Sequence, residues 1–189
     1  VYTPVNAVSL YGTYVYGFQP QEAGYIGDPS RYGGPFDPLE SDMIEFGVKS
    51  GLLNDRLSAT LAVYRITQNN VLQNANDPGN PDLLKQIGQI RGKGIEMDIY
   101  GRILPNLSLT ANLAINRTEI TKSEDKSEIG LQAANAPKAQ GGFWGKYDFT
   151  AKSLKGLGIA LGANFQAKRE SGAYDVTLPG YSVANMAVY

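Results

Sequence analysis

Between residues 93 and 115 the sequence KGIEMDIYGRILPNLSLTANLAI alternates between apolar and polar positions. Ile95, Met97 and Ile99 interleave with Glu96, Asp98 and Tyr100. After a short turn, Leu107, Leu109, Ala111, Leu113 and Ile115 interleave with Ser108, Thr110, Asn112 and Ala114. A period of two marks a β-strand, because successive side chains point to opposite faces. The same period recurs along the chain, and no window carries a 3.6-residue apolar stripe with caps. The pattern predicts about eight strands. They are residues 8–18, 42–52, 56–72, a fourth from 85 into the quoted stretch, a fifth from 107, then 137–149, 158–168 and 181–189. The apolar face of the last is ambiguous.

The connections between these strands are sorted by length. Segments 53–56, 101–106 and 151–156 are short turns, whereas 19–40, 73–84, 122–136 and 169–180 are long and polar. Long and short alternate strictly, so an up-and-down meander places every long loop at one end. Outer-membrane barrels have this arrangement, with short turns on the periplasmic side and longer loops outside. A soluble sandwich has no reason to sort its loops by end. Each segment is also long enough to cross a hydrocarbon layer as a tilted strand of about 9–11 residues.

Composition removes several alternatives. The chain has 189 residues, with 17 Lys plus Arg against 18 Asp plus Glu, so no charge excess points to nucleic acid. Cys and His are both absent. That excludes disulfides, thiolate or imidazole metal sites and a Ser-His-Asp triad built from this chain alone. No apolar run of about 18 residues offers a transmembrane helix. The start, VYTPVNAVSL, lacks Met and a charged-then-apolar leader, and reads as an internal cut or a processed start.

The segment PLESDMIEFGVKSGLLNDRLSATLAVYRITQNNVL (38–72) resembles the mid-to-late barrel region of TonB-dependent ferric-siderophore receptors. Glu45, Gly47 and Lys49 match an E-x-G-x-K strand of that family. Arg56 and Leu57 match the start of its next strand, and Asn70, Val71 and Leu72 its end. Gly88, Arg91, Gly94 and Glu96 match a G-x-x-R-x-x-G-x-E segment, and KGLGIALGANFQAKR and LPGYSVANMAVY resemble the two strands that follow. Two departures concern subfamily rather than fold. No His follows Pro137, and Asn185 stands where an acid is common. The resemblance implies an all-β, antiparallel, up-and-down transmembrane barrel segment, about eight strands of a 22-stranded wall. It also implies a plug domain, a TonB-contacting segment and closing strands outside these 189 residues.

On this reading Ile95, Met97, Ile99, Leu109, Leu113, Phe143, Ile159 and Leu161 face lipid, while Glu45, Tyr64, Glu96, Asp98, Trp144 and Lys146 face the lumen. The resemblance implies a ferric siderophore as the transported ligand, no bound cofactor or metal, and lipid and TonB as partners in the bacterial outer membrane. It further implies that aromatics and a few cations near the outer mouth hold the chelate, which nominates Tyr25, Arg31, Tyr32, Tyr174 and Trp144. Aromatics on a polar face, such as Trp144, Tyr64 and Tyr11, either pack against a plug or stack on the chelate. Glu96 and Asp98 stand about 7 Å apart by strand geometry, a spacing inverting glycosidases use, but a wall facing water gives the same spacing with no reaction. Two further classes stay open: a complete small eight-stranded barrel with a structural role, and a soluble β-sheet binding domain.

Overall fold

The computed structural model describes residues 1–75, 77–171 and 176–189. The strands are β1 (Tyr2–Val5), β2 (Val8–Gln19), β3 (Leu39–Leu52), β4 (Leu57–Asn74), β5 (Leu84–Leu104), β6 (Leu107–Lys122), β7 (Ala139–Asp148), β8 (Gly158–Gln166), β9 (Arg169–Glu170), β10 (Thr177–Leu178) and β11 (Tyr181–Val188). Nine form one antiparallel sheet in the order β1-β2-β3-β4-β5-β6-β7-β8-β11, and β9 and β10 make a small hairpin inside the last long connection. The large sheet is therefore a meander in which each strand from β2 to β8 pairs with its predecessor and β11 pairs with β8.

Several short elements escape the alternation pattern. β1 is four residues long, too short to display a period, and it contains Pro4, which an edge strand tolerates because it donates to no ladder there. Residues 23–26 and 29–32 form one-turn helices, α1 and α2, within the first long connection. Asp28 caps α2 by accepting from the Arg31 N–H at 3.2 Å, with Pro29 at the first helical position.

The sorting by loop length also changes form. The connections at 75–83 (long-loop end) and 149–157 (short-turn end) are equally long. The asymmetry lies in the strands instead: β4 and β5 run for 18 and 21 residues, well beyond what a membrane needs. What reads as loop in the sequence is partly ladder projecting past the long-loop end.

The wall is one layer thick. Among the described residues no large side chain is fully buried, and the buried apolar ones are Ala62, Ala75, Ile120 and Ala160. Phe46 is 62% exposed, Leu161 52% and Met186 69%. A sheet that bares one apolar face to water and packs it on nothing is not a stable solution for a soluble domain. Among the described residues no helix is long and apolar enough to cross a membrane.

Candidate functional site

Register places the side chains. Ile95, Met97 and Ile99 on β5 stand opposite Val63, Leu61 and Ala59 of β4 and Ile115, Leu113 and Ala111 of β6. Leu109 and Leu113 continue into Gly145 and Gly141 of β7, Phe143 pairs Ala163, and Leu161 and Ile159 pair Met186 and Val188 of β11. All eight residues assigned to the apolar side thus share one face. The register also settles the ambiguous last strand: Ala184, Met186 and Val188 take the apolar side, and Tyr181, Val183 and Asn185 the polar side.

The polar face carries Glu45, Tyr64, Glu96, Asp98, Trp144 and Lys146. Glu45 pairs Thr13 and Tyr64, and Tyr64 pairs Gly94. Lys146 bridges Asp148 at 3.0 Å and lies 5.0 Å over the Tyr189 ring, while Lys49 lies 4.9 Å over Tyr11. A hollow of about 430 Å³ opens on this face beside Glu96, Asp98, Asn112, Gln140, Asn164 and Tyr181. The Tyr181 hydroxyl meets Gln166 Oε1 at 3.1 Å. The floor is rich in acceptors and amides, suited to hydrogen-bonding a polar partner. Among the described residues no cluster of three or more metal-ligating side chains exists.

The polar-face aromatics have a local role that neither plug packing nor chelate stacking anticipates. Tyr11 is paired with Gly47, Tyr64 with Gly94, and Trp144 with Gly162. The Tyr11 and Trp144 rings sit where a side chain on Gly47 and Gly162 would project, and at Gly94 the Tyr64 hydroxyl and the Ile115 carbonyl oxygen take that space. A ring over a cross-strand glycine regains apolar contact that the bare backbone loses. Gly162→Ala is expected to destabilise by about 1–3 kcal/mol, because the new methyl and the indole claim one volume. Urea unfolding of the intact protein in detergent checks it; an unchanged midpoint would refute the overlap.

Beyond the long-loop end a second cluster forms. Tyr25 and Tyr32 meet edge to face at 5.2 Å, and the Arg31 guanidinium sits 5.0 Å over Tyr32. Arg31 Nε also bridges Asp82 at 2.8 Å, and Asn80 Nδ2 donates to the Arg31 carbonyl at 2.9 Å. The hydrogen bond to Asp82 raises the guanidinium's pKa, and the Ser30 hydroxyl together with the Arg31 N–H lowers that of the Asp28 carboxyl. Thus α1, α2 and residues 80–82 are clasped. Trp144 stands apart: it pairs Thr110, near the short 105–106 turn, at the opposite end of the wall. Tyr174 lies outside the described residues.

Sequence reasoning missed the residues that anchor this cluster. Gln21 Nε2 donates to the carbonyls of Asp37 and Asn70, Gln86 Oε1 accepts from the Asp37 N–H at 2.7 Å, and Asn70 Nδ2 donates to the Pro38 carbonyl. Asn70 has φ 59° at a ladder irregularity of β4, a conformation Asn adopts more readily than most residues. Asn70→Val is expected to cost about 1–3 kcal/mol of local stability. It should speed amide exchange at 37–41 while leaving β6 and β7 unchanged; uniform protection would count against the anchor.

A single-layer antiparallel meander, apolar across one face and polar across the other, with ladders projecting at one end, is the wall of a membrane β-barrel. The chain belongs to the family described as TonB dependent receptor-like, beta-barrel, whose model matches residues 1–189. Members of that family are outer-membrane β-barrel proteins. The chain is 30% identical over 188 residues to the metal-pseudopaline receptor CntO of Pseudomonas aeruginosa PAO1, covering 98% of this chain and 25% of that protein. It is 29% identical over 185 residues to the ferrioxamine B receptor of Salmonella typhimurium LT2, covering 97% and 25%. The ferric-catecholate import receptor Fiu of E. coli K12 has the same fold over 99% of this chain and 27% of its own, with a TM-score of 0.79 at 22% identity. The chain therefore spans about a quarter of the length of the relatives it matches.

Proposed function

We propose that these residues form part of the barrel wall of an outer-membrane receptor that takes up a metal-loaded small chelator, a ferric siderophore, with energy delivered through TonB. The plug and the closing strands lie outside this segment on this reading. The observation that carries the proposal is the two-faced sheet, whose apolar row from β4 to β11 suits acyl chains while Glu45, Tyr64, Glu96, Asp98, Trp144 and Lys146 suit a hydrated, plug-filled lumen. The family, and the metal-pseudopaline and ferrioxamine B for which the relatives are named, support the substrate class.

Within that reading Tyr25 and Tyr32 form the chelate-contacting surface near the outer mouth. Arg31 holds the surface in shape through Asp82 and offers its remaining N–H groups to an anionic chelate. Trp144, at the other end of the wall, serves the plug side. Deleting the gene should abolish iron uptake from at least one chelate among hydroxamate, catecholate and mixed-ligand siderophores in iron-limited cells, and removing TonB should abolish the same uptake. Uptake unchanged across the whole panel would sink the proposal.

A further inference from the structure

The cations of the apolar face are not scattered. Arg65 of β4, Lys93 of β5 and Arg117 of β6 stand directly opposite one another in one register row. All three are exposed. The row immediately below is Phe46, Val63, Ile95 and Ile115, with exposures of 62%, 47%, 49% and 53%. The cations therefore close the apolar band at its long-loop edge. Like charges directly opposite on adjacent strands repel, and strands lie only about 4.8 Å apart.

Little on this face answers that charge. Among the described residues neither Arg65 nor Lys93 has an ion-pair partner. Arg117 gives its Nε to Glu119 at 2.7 Å but keeps its side chain 60% exposed. The next row outward holds Asp42, Thr67, Arg91 and Glu119, and the Arg91 Nε is buried without a hydrogen-bond partner. Over the two rows four cations face two carboxylates. Beside Arg65 a hollow of about 350 Å³ runs down the apolar face along Ile44, Phe46 and Val63.

We propose that Arg65, Lys93 and Arg117 form a binding site for the phosphorylated headgroup of a membrane lipid, with an acyl chain lying in the hollow along Ile44, Phe46 and Val63. Anionic phosphate oxygens neutralise the row, and Arg and Lys stems reach from apolar surface to the headgroup level. The proposal rests on the reading that this face meets lipid.

The test uses the intact protein, delipidated in a neutral detergent. Phosphatidic acid in mixed micelles is expected to bind at least tenfold more tightly than phosphatidylcholine. The triple variant Arg65→Gln, Lys93→Gln, Arg117→Gln should lose that preference. A charge-matched control, Lys126→Gln, Lys152→Gln, Lys155→Gln, should retain it. Equal binding by wild type and the triple variant overturns the site. Full competition by inorganic phosphate at equal concentration also overturns it, since the ligand is then a free anion and not a lipid. Should the triple variant fail to fold, Lys93→Gln alone is expected to weaken binding at least twofold, and no change there overturns the proposal equally. A nitroxide at Ile95→Cys separates the two readings. Oxygen accessibility typical of lipid together with failed lipid binding refutes only the headgroup site, whereas accessibility typical of water refutes the lipid-facing surface itself.

Discussion

Met97→Arg in the intact protein is expected to cost about 2–4 kcal/mol of folding stability in lipid vesicles, the magnitude found for a cation near the middle of a barrel's lipid face. Met97 is flanked by Leu61 of β4 and Leu113 of β6, and the flanking row runs on to Val48. No carboxylate lies in that row to receive a guanidinium. The cation therefore either stays in hydrocarbon or drags its neighbours toward the headgroups. Glu96→Gln, one residue away on the opposite face, should change stability by about 0.5 kcal/mol or less, as expected of a surface substitution. Its neighbours across the ladder are Ala62 and Ala114, which make no demand on its charge. Urea titration of the two variants in phosphatidylcholine vesicles measures the contrast. Comparable small effects for both would mean that the two faces are assigned the wrong way round.

Gly101→Val should be the most damaging single substitution among the strand glycines, at about 2–5 kcal/mol from backbone strain and overpacking together. Its φ of 140° is one that a side chain rarely adopts. A Cβ there meets the Arg56 carbonyl oxygen and lies 2.8 Å from Leu57 Cα, so the obstruction is backbone and cannot rotate away. The Arg102 N–H donates to that same Arg56 carbonyl at 2.7 Å, so relief of the clash breaks a ladder bond. Gly17→Ala is the control. Nothing lies within 4 Å of the added methyl, and Ala at a strand position loses less chain entropy than Gly. It should be neutral or slightly stabilising. If Gly101→Val unfolds at the wild-type urea concentration, the left-handed backbone at 101 is not what the protein uses.

The alternation in 93–115 carried most of the fold because parity along a strand is a local property. Ile95, Met97 and Ile99 share a side whatever the neighbours do, and so do Glu96 and Asp98. The same argument held for Phe143, Ile159 and Leu161. It failed where a segment was too short to show a period, as in β1. It also left β11 open, since Val183 on one side and Met186 and Val188 on the other are all apolar and only pairing with β8 separates them. The loop cluster was half legible. Tyr25, Arg31 and Tyr32 stood out as aromatic and cationic loop residues, but nothing local marks Asp82 as the partner of Arg31, because the two are 51 residues apart.

By itself the sequence determined which side of the wall the residues of the long strands take, β11 excepted, together with the meander topology and the family, since these follow from a period of two and from connections short enough to join neighbouring strands. Only the tertiary structure decided height. Whether Arg65, Lys93 and Arg117 stand level, whether Trp144 covers Gly162, and whether Trp144 lies with the outer loops or far below them all depend on register. Register is the sum of turn lengths and ladder irregularities at Asn70, at residues 89–90 and at residues 102–104. A shift of two residues preserves every face and every local pattern while moving each side chain about 6.6 Å along its strand. No short stretch of sequence records that sum; the paired backbone does.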